Sequence, residues 1–196
     1  MPGGHEVRIR GLPHAARGRP RVGSLKRHLL LVGLPGSGKS VVGRCAAEAL
    51  GAPFTDVDEQ VEAAEGMAIR RIFAERGEPA FRELERRAVE TAFAGQPGVV
   101  APGGGWAAQG TNMEYAAGRA LVVYLSTEPS AAAARAAPEG SRPLLDGPDP
   151  AARMEEILAA REGFYEGAEA VVPTDGRSVE EVAAVLVQLA RSRAGW

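Results

Sequence analysis

The chain has 196 residues, of which 45% are hydrophobic and 24% are charged, and this composition is typical of soluble globular proteins rather than disordered or fibrous ones. The length suffices for one α/β domain with a buried core and is too short for two domains of ordinary size. A net charge of −2 argues against a protein whose whole surface binds nucleic acid, and no apolar run approaches the roughly 18 residues of a membrane span. We therefore expect one domain with neither nucleic acid nor membrane as a partner.

Residues 1–27 are a basic segment in which Glu6 is the only acidic side chain. We predict that this segment is a disordered N-terminal extension, with organellar targeting or contact with nucleic acid as the alternatives. It lacks the apolar stretch of a secretory signal, and the single cysteine, Cys45, cannot form an internal disulfide. Both features predict a cytoplasmic protein.

Beyond this segment, short apolar runs alternate with longer helical patterns, which predicts βα units and a parallel sheet. The five predicted strands are His28–Val32, Pro53–Val57, Gly98–Ala101, Ala120–Leu125 and Ala170–Val172. The predicted helices are Lys39–Leu50, a divided region from Glu59 to Phe93, Asn112–Ala117, Ser130–Ala137, Ala151–Glu166 and Ser178–Ala190. Residues 28–196 are thus predicted to form a single α/β domain.

Two stretches exceed what a minimal βα unit needs. Roughly 40 residues separate the second and third strands, with breaks at Gly66 and at residues 77–79, so we predict a helical insertion over residues 59–94. Residues 138–150 are rich in proline and glycine, which excludes a helix or a central strand. We predict a surface loop there, and long loops of this kind often act as lids over phosphate-handling sites.

Residues 33–40 read Gly-Leu-Pro-Gly-Ser-Gly-Lys-Ser and match the phosphate-binding loop pattern G-x-x-x-x-G-K-[ST] between an apolar strand and a helix. In such a loop backbone N–H groups surround the phosphates, Lys39 reaches the β and γ oxygens, and the hydroxyl of Ser40 serves Mg²⁺. Lys39 is one of only two lysines in the chain. The pattern predicts that ATP or GTP phosphates are bound and transferred.

Candidate acceptor residues follow the second and third strands. Asp56 and Asp58 are two residues apart at a strand end, so both carboxylates are expected at one site, one for hydrated Mg²⁺ and one for an acceptor hydroxyl. The alternative is a solvated loop in which Asp58 caps a helix beginning near Glu59. The glycines at 103–105 are expected to bring backbone close to a ligand. Spacing does not decide which arginines bind anions, and the candidates are Arg82, Arg135, Arg142 and Arg161.

Together these motifs resemble the shikimate kinase family. The resemblance rests on residues 33–40, Asp56-Val57-Asp58, Phe81-Arg82-Glu83-Leu84-Glu85, Gly103-Gly104-Gly105, Arg142-Pro143-Leu144-Leu145, and Arg161-Glu162-Gly163-Phe164-Tyr165 followed by Ala168. It implies transfer of the γ-phosphoryl group of ATP to the 3-hydroxyl of shikimate, with Mg²⁺. It also implies a three-layer α/β fold of the P-loop kinase type, a five-stranded parallel sheet of order 2-3-1-4-5, a substrate-binding helical insertion and a lid loop.

The resemblance also implies residue roles. Gly36, Ser37, Gly38, Lys39 and Ser40 would bind the ATP phosphates, and Ser40 and Asp56 would hold the metal. Asp58 would accept the hydrogen bond of the substrate hydroxyl and act as base. Arg82 and Arg161 would bind the substrate carboxylate, with Glu85 orienting Arg82. Gly103, Gly104 and Gly105 would approach the ring. Arg135 would lie along the adenine. Arg142 would enter with the lid to bind ATP and neutralise charge, and it would be a catalytic residue together with Lys39 and Asp58.

Two residues depart from the family pattern. Trp106 follows the glycines where a small residue is usual, and it either narrows the substrate pocket or packs beneath the insertion. Val41 replaces a threonine after Ser40. The alternatives to the main hypothesis are a kinase of another small hydroxy acid such as gluconate, and a nucleotide-binding regulator without turnover. We expect a monomer.

Overall fold

A six-stranded sheet forms the centre of the computed structural model, which describes residues 6–10, 26–136 and 149–196. The strands are β1 (Arg8–Ile9), β2 (His28–Val32), β3 (Phe54–Asp56), β4 (Val99–Ala101), β5 (Ala120–Ser126) and β6 (Ala170–Pro173). Their order across the sheet is β1-β6-β5-β2-β4-β3. Strands β2 to β6 are parallel, and β1 runs antiparallel to β6.

Seven helices surround the sheet in the described ranges. They are α1 (Lys39–Leu50), α2 (Val57–Glu65), α3 (Ile69–Ala94), α4 (Asn112–Ala116), α5 (Pro129–Ala136), α6 (Pro150–Tyr165) and α7 (Val179–Arg193), with a 3₁₀ turn at Trp106–Ala108. None of the described helices is both long enough and apolar enough to cross a membrane.

The two faces of the sheet carry separate cores, as the alternating side chains of β2 show. Leu29 and Leu31 pack with α1 and α7, whereas Leu30 and Val32 pack with residues of α2, α3, α5 and α6. All four side chains are fully or almost fully buried, as expected for a parallel strand covered on both faces. The predicted three-layer α/β architecture is therefore confirmed.

The predicted order of the five parallel strands is confirmed as β3-β4-β2-β5-β6. The predicted strand count is wrong, because Arg8 and Ile9 add β1 at the edge of β6, opposite Val171 and Ala170. Two exposed residues in a basic segment carry no apolar pattern, so only pairing with β6 reveals the strand. Residues 1–5 and 11–25 of the predicted extension lie outside the described residues.

The region between β3 and β4 consists of α2 and α3. Gly66 ends α2 in the left-handed conformation, with φ of 64°. Within α3, Gly77 has non-helical angles (φ 80°, ψ 168°), and Pro79 follows it. The helices are thus interrupted at both predicted positions, and the interruption at Gly77 divides α3 into two segments.

Candidate active site

The phosphate-binding loop lies between β2 and α1 and is tightly packed. Gly33, Gly36 and Gly38 have φ of 144°, 76° and 88°, values that favour glycine. A Cβ on Gly36 would lie 2.2 Å from the carbonyl oxygen of Ala132, and one on Gly33 would lie 2.5 Å from that of Leu125. Both positions therefore need glycine for conformation and for space.

Lys39 folds over this loop. Its Nζ donates to the carbonyl oxygens of Gly33 at 3.0 Å and Leu34 at 2.9 Å, and the side chain is buried. Ser37 is also buried, and its Oγ has no hydrogen-bond partner among the described residues. The loop thus presents an ammonium group and an available hydroxyl at the start of α1.

An open cleft of about 340 Å³ extends from this loop along α1 and α7. Its lining includes the predicted phosphate-binding residues 36–40 together with Arg135, Thr174, Arg177 and Val179. Residues 36–40 were predicted from the phosphate-loop motif, whereas Arg135 was predicted from the family resemblance. In the structure both line one cleft.

Arg135 fixes the far wall of this cleft. It donates to Thr127 Oγ1 at 3.2 Å and to Asp175 Oδ1 at 3.0 Å. Asp175 also accepts bonds of 2.7 Å from the Thr127 hydroxyl and the Glu128 N–H. This network ties the loops after β5 and β6 together, and sequence reasoning did not identify Asp175.

The aspartate pair is arranged differently from the expectation. β3 ends at Asp56, and Asp58 lies in the first turn of α2, so the argument from alternating strand residues is wrong. Asp56 is the N-cap, because its Oδ1 accepts from the N–H groups of Asp58 at 3.0 Å and Glu59 at 3.3 Å. The alternative in which Asp58 caps the helix is therefore also wrong, because the cap is Asp56, two residues earlier in the chain.

The glycine triplet after β4 connects the phosphate loop to the acidic and basic side chains of the insertion. A Cβ on Gly103 would lie 2.5 Å from Glu85 Oε1 and 3.2 Å from Asp58 Oδ1. One on Gly104 would lie 3.0 Å from the carbonyl oxygen of Gly33, and one on Gly105 would lie 2.6 Å from Arg82 Nη2. Side chains at these positions would displace the groups that line the site.

Arg82 and Glu85 form a buried ion pair next to this triplet. Arg82 Nη1 donates to Glu85 Oε2 at 2.9 Å, and Glu85 is fully buried. Burial raises the pKa of Glu85 to about 7; Arg82 opposes this shift, and the charge of Asp58 adds to it. Asp58, Arg82 and Glu85 thus share one electrostatic environment.

Arg161 reaches the same region from α6. Its Nη1 is buried and has no hydrogen-bond partner among the described residues. Burial raises the pKa of the neighbouring Tyr165, and the charges of Arg161 and Arg82 oppose that shift. Tyr165 is also within hydrogen-bonding reach of Arg161, so both arginines lie beside this tyrosine.

Tyr165 supports this arrangement, although sequence reasoning gave it no role. It is fully buried, its hydroxyl donates to the carbonyl oxygen of Gly104, and its ring stacks on Tyr124 with centroids 5.1 Å apart. The sequence signals were its place in the motif at residues 161–165 and its position four residues after Arg161 on a predicted helix, which places both side chains on one helix face.

Two further predicted features have different outcomes. Arg142 and residues 138–148 of the predicted lid lie outside the described residues. Trp106 is 1% exposed and belongs to the core on the insertion side of the sheet. This burial favours packing beneath the insertion over lining an open pocket.

The residues near the phosphate loop fit a hydrated magnesium ion. Among the described residues no cluster of three or more histidine, cysteine, aspartate or glutamate side chains could hold a metal by itself. Mg²⁺ characteristically uses one or two protein oxygens, water and substrate phosphates. Ser40 and Asp56 supply hard oxygen donors of that kind, and only Oδ1 of Asp56 is used by the helix cap.

Comparison with known proteins gives consistent results. The family model for shikimate kinase matches residues 35–191. A shikimate kinase from Symbiobacterium thermophilum is 42% identical over 169 residues, which are 85% of this chain and 97% of that protein. The solved structure of shikimate kinase from Acinetobacter baumannii in complex with shikimate matches with a TM-score of 0.81 at 34% identity, covering 86% of this chain and 94% of that one.

A gluconokinase structure from Sinorhizobium meliloti is also similar, with a TM-score of 0.57 at 20% identity and coverage of 88% of this chain and 96% of that one. Identity this low shows a common fold only. The family model, in contrast, spans most of the domain, including the phosphate loop from Pro35 onward, the glycine triplet and Arg161. The chain belongs to the shikimate kinase family and is an ATP-dependent shikimate kinase.

Proposed function

We propose that this chain transfers the γ-phosphoryl group of ATP to the 3-hydroxyl of shikimate, with the cleft at the phosphate loop as donor site and the insertion side as acceptor site. The observation that carries the proposal is the position of Gly104 and Gly105. The first is packed against the phosphate loop at Gly33, and the second is packed against the guanidinium of Arg82. One short turn therefore sets the distance between donor and acceptor groups, and phosphoryl transfer depends chiefly on such positioning.

The acceptor residues suit a ligand that carries both a hydroxyl and a carboxylate. Arg82 and Arg161 would bind the carboxylate, because planar guanidinium groups match carboxylate geometry and Nη1 of Arg161 has no hydrogen-bond partner among the described residues. Glu85 would orient Arg82 through their 2.9 Å bond. Gly103, Gly104 and Gly105 would bring their backbone close to the ring, since side chains there would displace Glu85, the phosphate loop and Arg82.

Asp58 would act at the reacting hydroxyl. The hydroxyl oxygen attacks the γ-phosphorus, the bond from that phosphorus to the β,γ-bridging oxygen breaks, and the hydroxyl proton passes to the Asp58 carboxylate. ADP leaves with the bridging oxygen, and shikimate 3-phosphate is formed. A carboxylate suffices as base because positioning and charge neutralisation dominate this type of transfer.

The donor residues hold and neutralise the phosphates. Backbone N–H groups of Gly36, Ser37 and Gly38 would surround them, and Lys39 would exchange its two carbonyl acceptors for phosphate oxygens. Arg135 would lie along the adenine at the far wall of the cleft. Arg142 would add positive charge as a catalytic residue of the lid.

The metal site is proposed at Ser40 and Asp56. When bound there, Mg²⁺ neutralises charge on the β and γ phosphate oxygens. The Ser40 hydroxyl would be a direct ligand, and Asp56 would act through water with the carboxylate oxygen that the helix cap leaves available. We further propose a monomer that acts in the cytoplasm, where ATP is supplied and Cys45 stays reduced.

A coupled assay of ADP release tests this function directly. The purified chain is supplied with Mg-ATP and, separately, with shikimate, gluconate or a nucleoside monophosphate. We expect strong stimulation by shikimate alone. Stimulation by gluconate instead would identify a different acceptor, and ATP binding without stimulation by any of the three would indicate a nucleotide-binding regulator.

A further inference from the structure

The guanidinium of Arg82 is engaged by a second carboxylate besides Glu85. Arg82 Nε and Nη2 both donate to Glu78 Oε1, at 3.1 and 2.8 Å, while Nη1 donates to Glu85. A guanidinium offers two edges for bidentate binding of a carboxylate, Nε with Nη2 and Nη1 with Nη2. Glu78 occupies both donors of the first edge, and Glu85 occupies one donor of the second.

Glu78 and Glu85 differ in how readily each can dissociate from Arg82. Glu85 is fully buried and lies against Gly103, so its release would strand a carboxylate away from water. The side chain of Glu78 is 49% exposed, against 12% for Arg82. Glu78 also begins the second segment of α3, directly after the break at Gly77. It can turn into solvent with little desolvation cost, whereas Glu85 cannot.

We propose that Glu78 is a specificity-determining residue that occupies Arg82 as an internal competitor of the substrate carboxylate. This inference rests on the proposed function, in which Arg82 binds that carboxylate. A substrate carboxylate binds the edge of Arg82 formed by Nε and Nη2 only by displacing Glu78, which occupies both donors of that edge. Its net gain at Arg82 is therefore small, and a ligand is retained only when it also engages Arg161 and Asp58.

The consequence is discrimination against simple anions. An arginine with unoccupied edges would bind small carboxylates that carry no hydroxyl for Asp58, and these would block the site. With Glu78 in place, binding of such an anion only replaces one carboxylate at Arg82 with another, so the gain in binding free energy is small. Specificity here comes from an element that disfavours the wrong ligand as well as from contacts with the right one.

The test uses Glu78→Gln, which keeps the length of the side chain and removes its charge. Glu83→Gln is the matched control, because Glu83 lies five residues further along α3 and pairs with Arg86 and Arg87 instead of Arg82. Steady-state kinetics give KM for shikimate and for ATP, and cyclohexanecarboxylate serves as a competing carboxylate without hydroxyls. Arg82→Lys is measured in parallel.

For Glu78→Gln we expect KM for shikimate to fall about 3-fold, the effect of removing one half-exposed competing ion pair, with KM for ATP unchanged. Inhibition by cyclohexanecarboxylate should strengthen by a larger factor, since that compound lacks the hydroxyl contacts. Glu83→Gln should match wild type in all three values. A raised or unchanged KM for shikimate in Glu78→Gln would overturn the proposal, because a residue that only braces Arg82 gives that result.

The Arg82→Lys variant tests the proposed role of Arg82 independently of the role of Glu78. A rise of about 10-fold or more in KM for shikimate shows that Arg82 binds the carboxylate, whatever Glu78 does. If Arg82→Lys leaves that KM unchanged, the proposed role of Arg82 fails, and the inference about Glu78 fails with it. Thermal melting of each variant checks that the fold is retained.

Discussion

The donor and acceptor sides of the site are built by different physical means. On the donor side, glycines with positive φ at 33, 36 and 38 shape one contiguous loop, and its backbone carries most of the binding groups. On the acceptor side, Asp58, Arg82, Glu85 and Arg161 come from α2, α3 and α6, and their charges balance one another. Backbone geometry thus defines the donor site, whereas a network of buried charges defines the acceptor site.

The largest effect is expected from breaking the acceptor side at its reacting group. Asp58→Ala should lower kcat by about 10³-fold, within the range for loss of a general base, because the hydroxyl proton then has no acceptor. Binding of ATP, measured by titration with a fluorescent nucleotide, should be unchanged. A near-normal kcat would contradict the role of Asp58.

A smaller effect, confined to the donor side, is expected for Gly36→Ala. Its φ of 76° is strained for alanine, and the new Cβ would meet the Ala132 carbonyl oxygen at 2.2 Å. The loop must shift, so we expect kcat/KM for ATP to fall by about 10²-fold, in line with the cost of such strain. Shikimate binding, measured calorimetrically without nucleotide, should be retained, and its loss would contradict the separation of the two sides.

The converse change on the acceptor side is Gly105→Ala. The new Cβ would lie 2.6 Å from Arg82 Nη2, so the flexible guanidinium must move away from the carboxylate position. We expect KM for shikimate to rise about 10-fold, as for modest misplacement of a positioning group, with KM for ATP unchanged. A change in KM for ATP alone would show that Gly105 serves the donor side.

The smallest effect concerns stability against pH. Burial raises the pKa of Glu85 to about 7 from an ordinary value of 4.5, so the folded chain holds a proton that the unfolded chain releases. The resulting stabilisation is complete below pH 4.5 and is lost as the pH rises through 7. Melting temperatures at pH 5 and pH 8 should therefore differ less in Glu85→Gln than in wild type.

Glu83→Gln is the control for this comparison. Arg86 and Arg87 lower the pKa of Glu83 to about 2, so Glu83 is mostly ionised at both pH values in the folded and in the unfolded chain. The variant should therefore reproduce the wild-type difference between pH 5 and pH 8. A Glu85→Gln variant with that same difference would contradict the raised pKa of Glu85.

The difference between the two sides also explains what the sequence could predict. The phosphate loop was predictable because local glycine chemistry and a neighbouring helix determine its shape. The order of the parallel strands followed from the family resemblance and is confirmed. β1 was missed because pairing with β6, and not a local pattern, makes Arg8 and Ile9 a strand.

The acceptor side was only partly predictable for a related reason. Asp58 and Arg82 were predicted for the acceptor site and lie beside the glycine triplet, but strand alternation was the wrong reason for Asp58, since Asp56 caps α2 and ends the strand. The role of Tyr165 depends on a contact with Gly104, 61 residues away, and that of Glu78 depends on its i,i+4 contact with Arg82. The spacing of Glu78 from Arg82 and the motif that contains Tyr165 are visible in the sequence, but neither shows what these side chains do at the site.

The most direct test of the central claim is the position of the new phosphate ester. Phosphorus NMR with proton coupling should show a single monoester on the 3-hydroxyl after wild-type enzyme, Mg-ATP and shikimate react, formed in equal amount to ADP. This result is expected because, in the proposed function, the two arginines bind the carboxylate and Asp58 accepts the proton of one hydroxyl. An ester on another hydroxyl, or ADP released without an ester, would contradict the account.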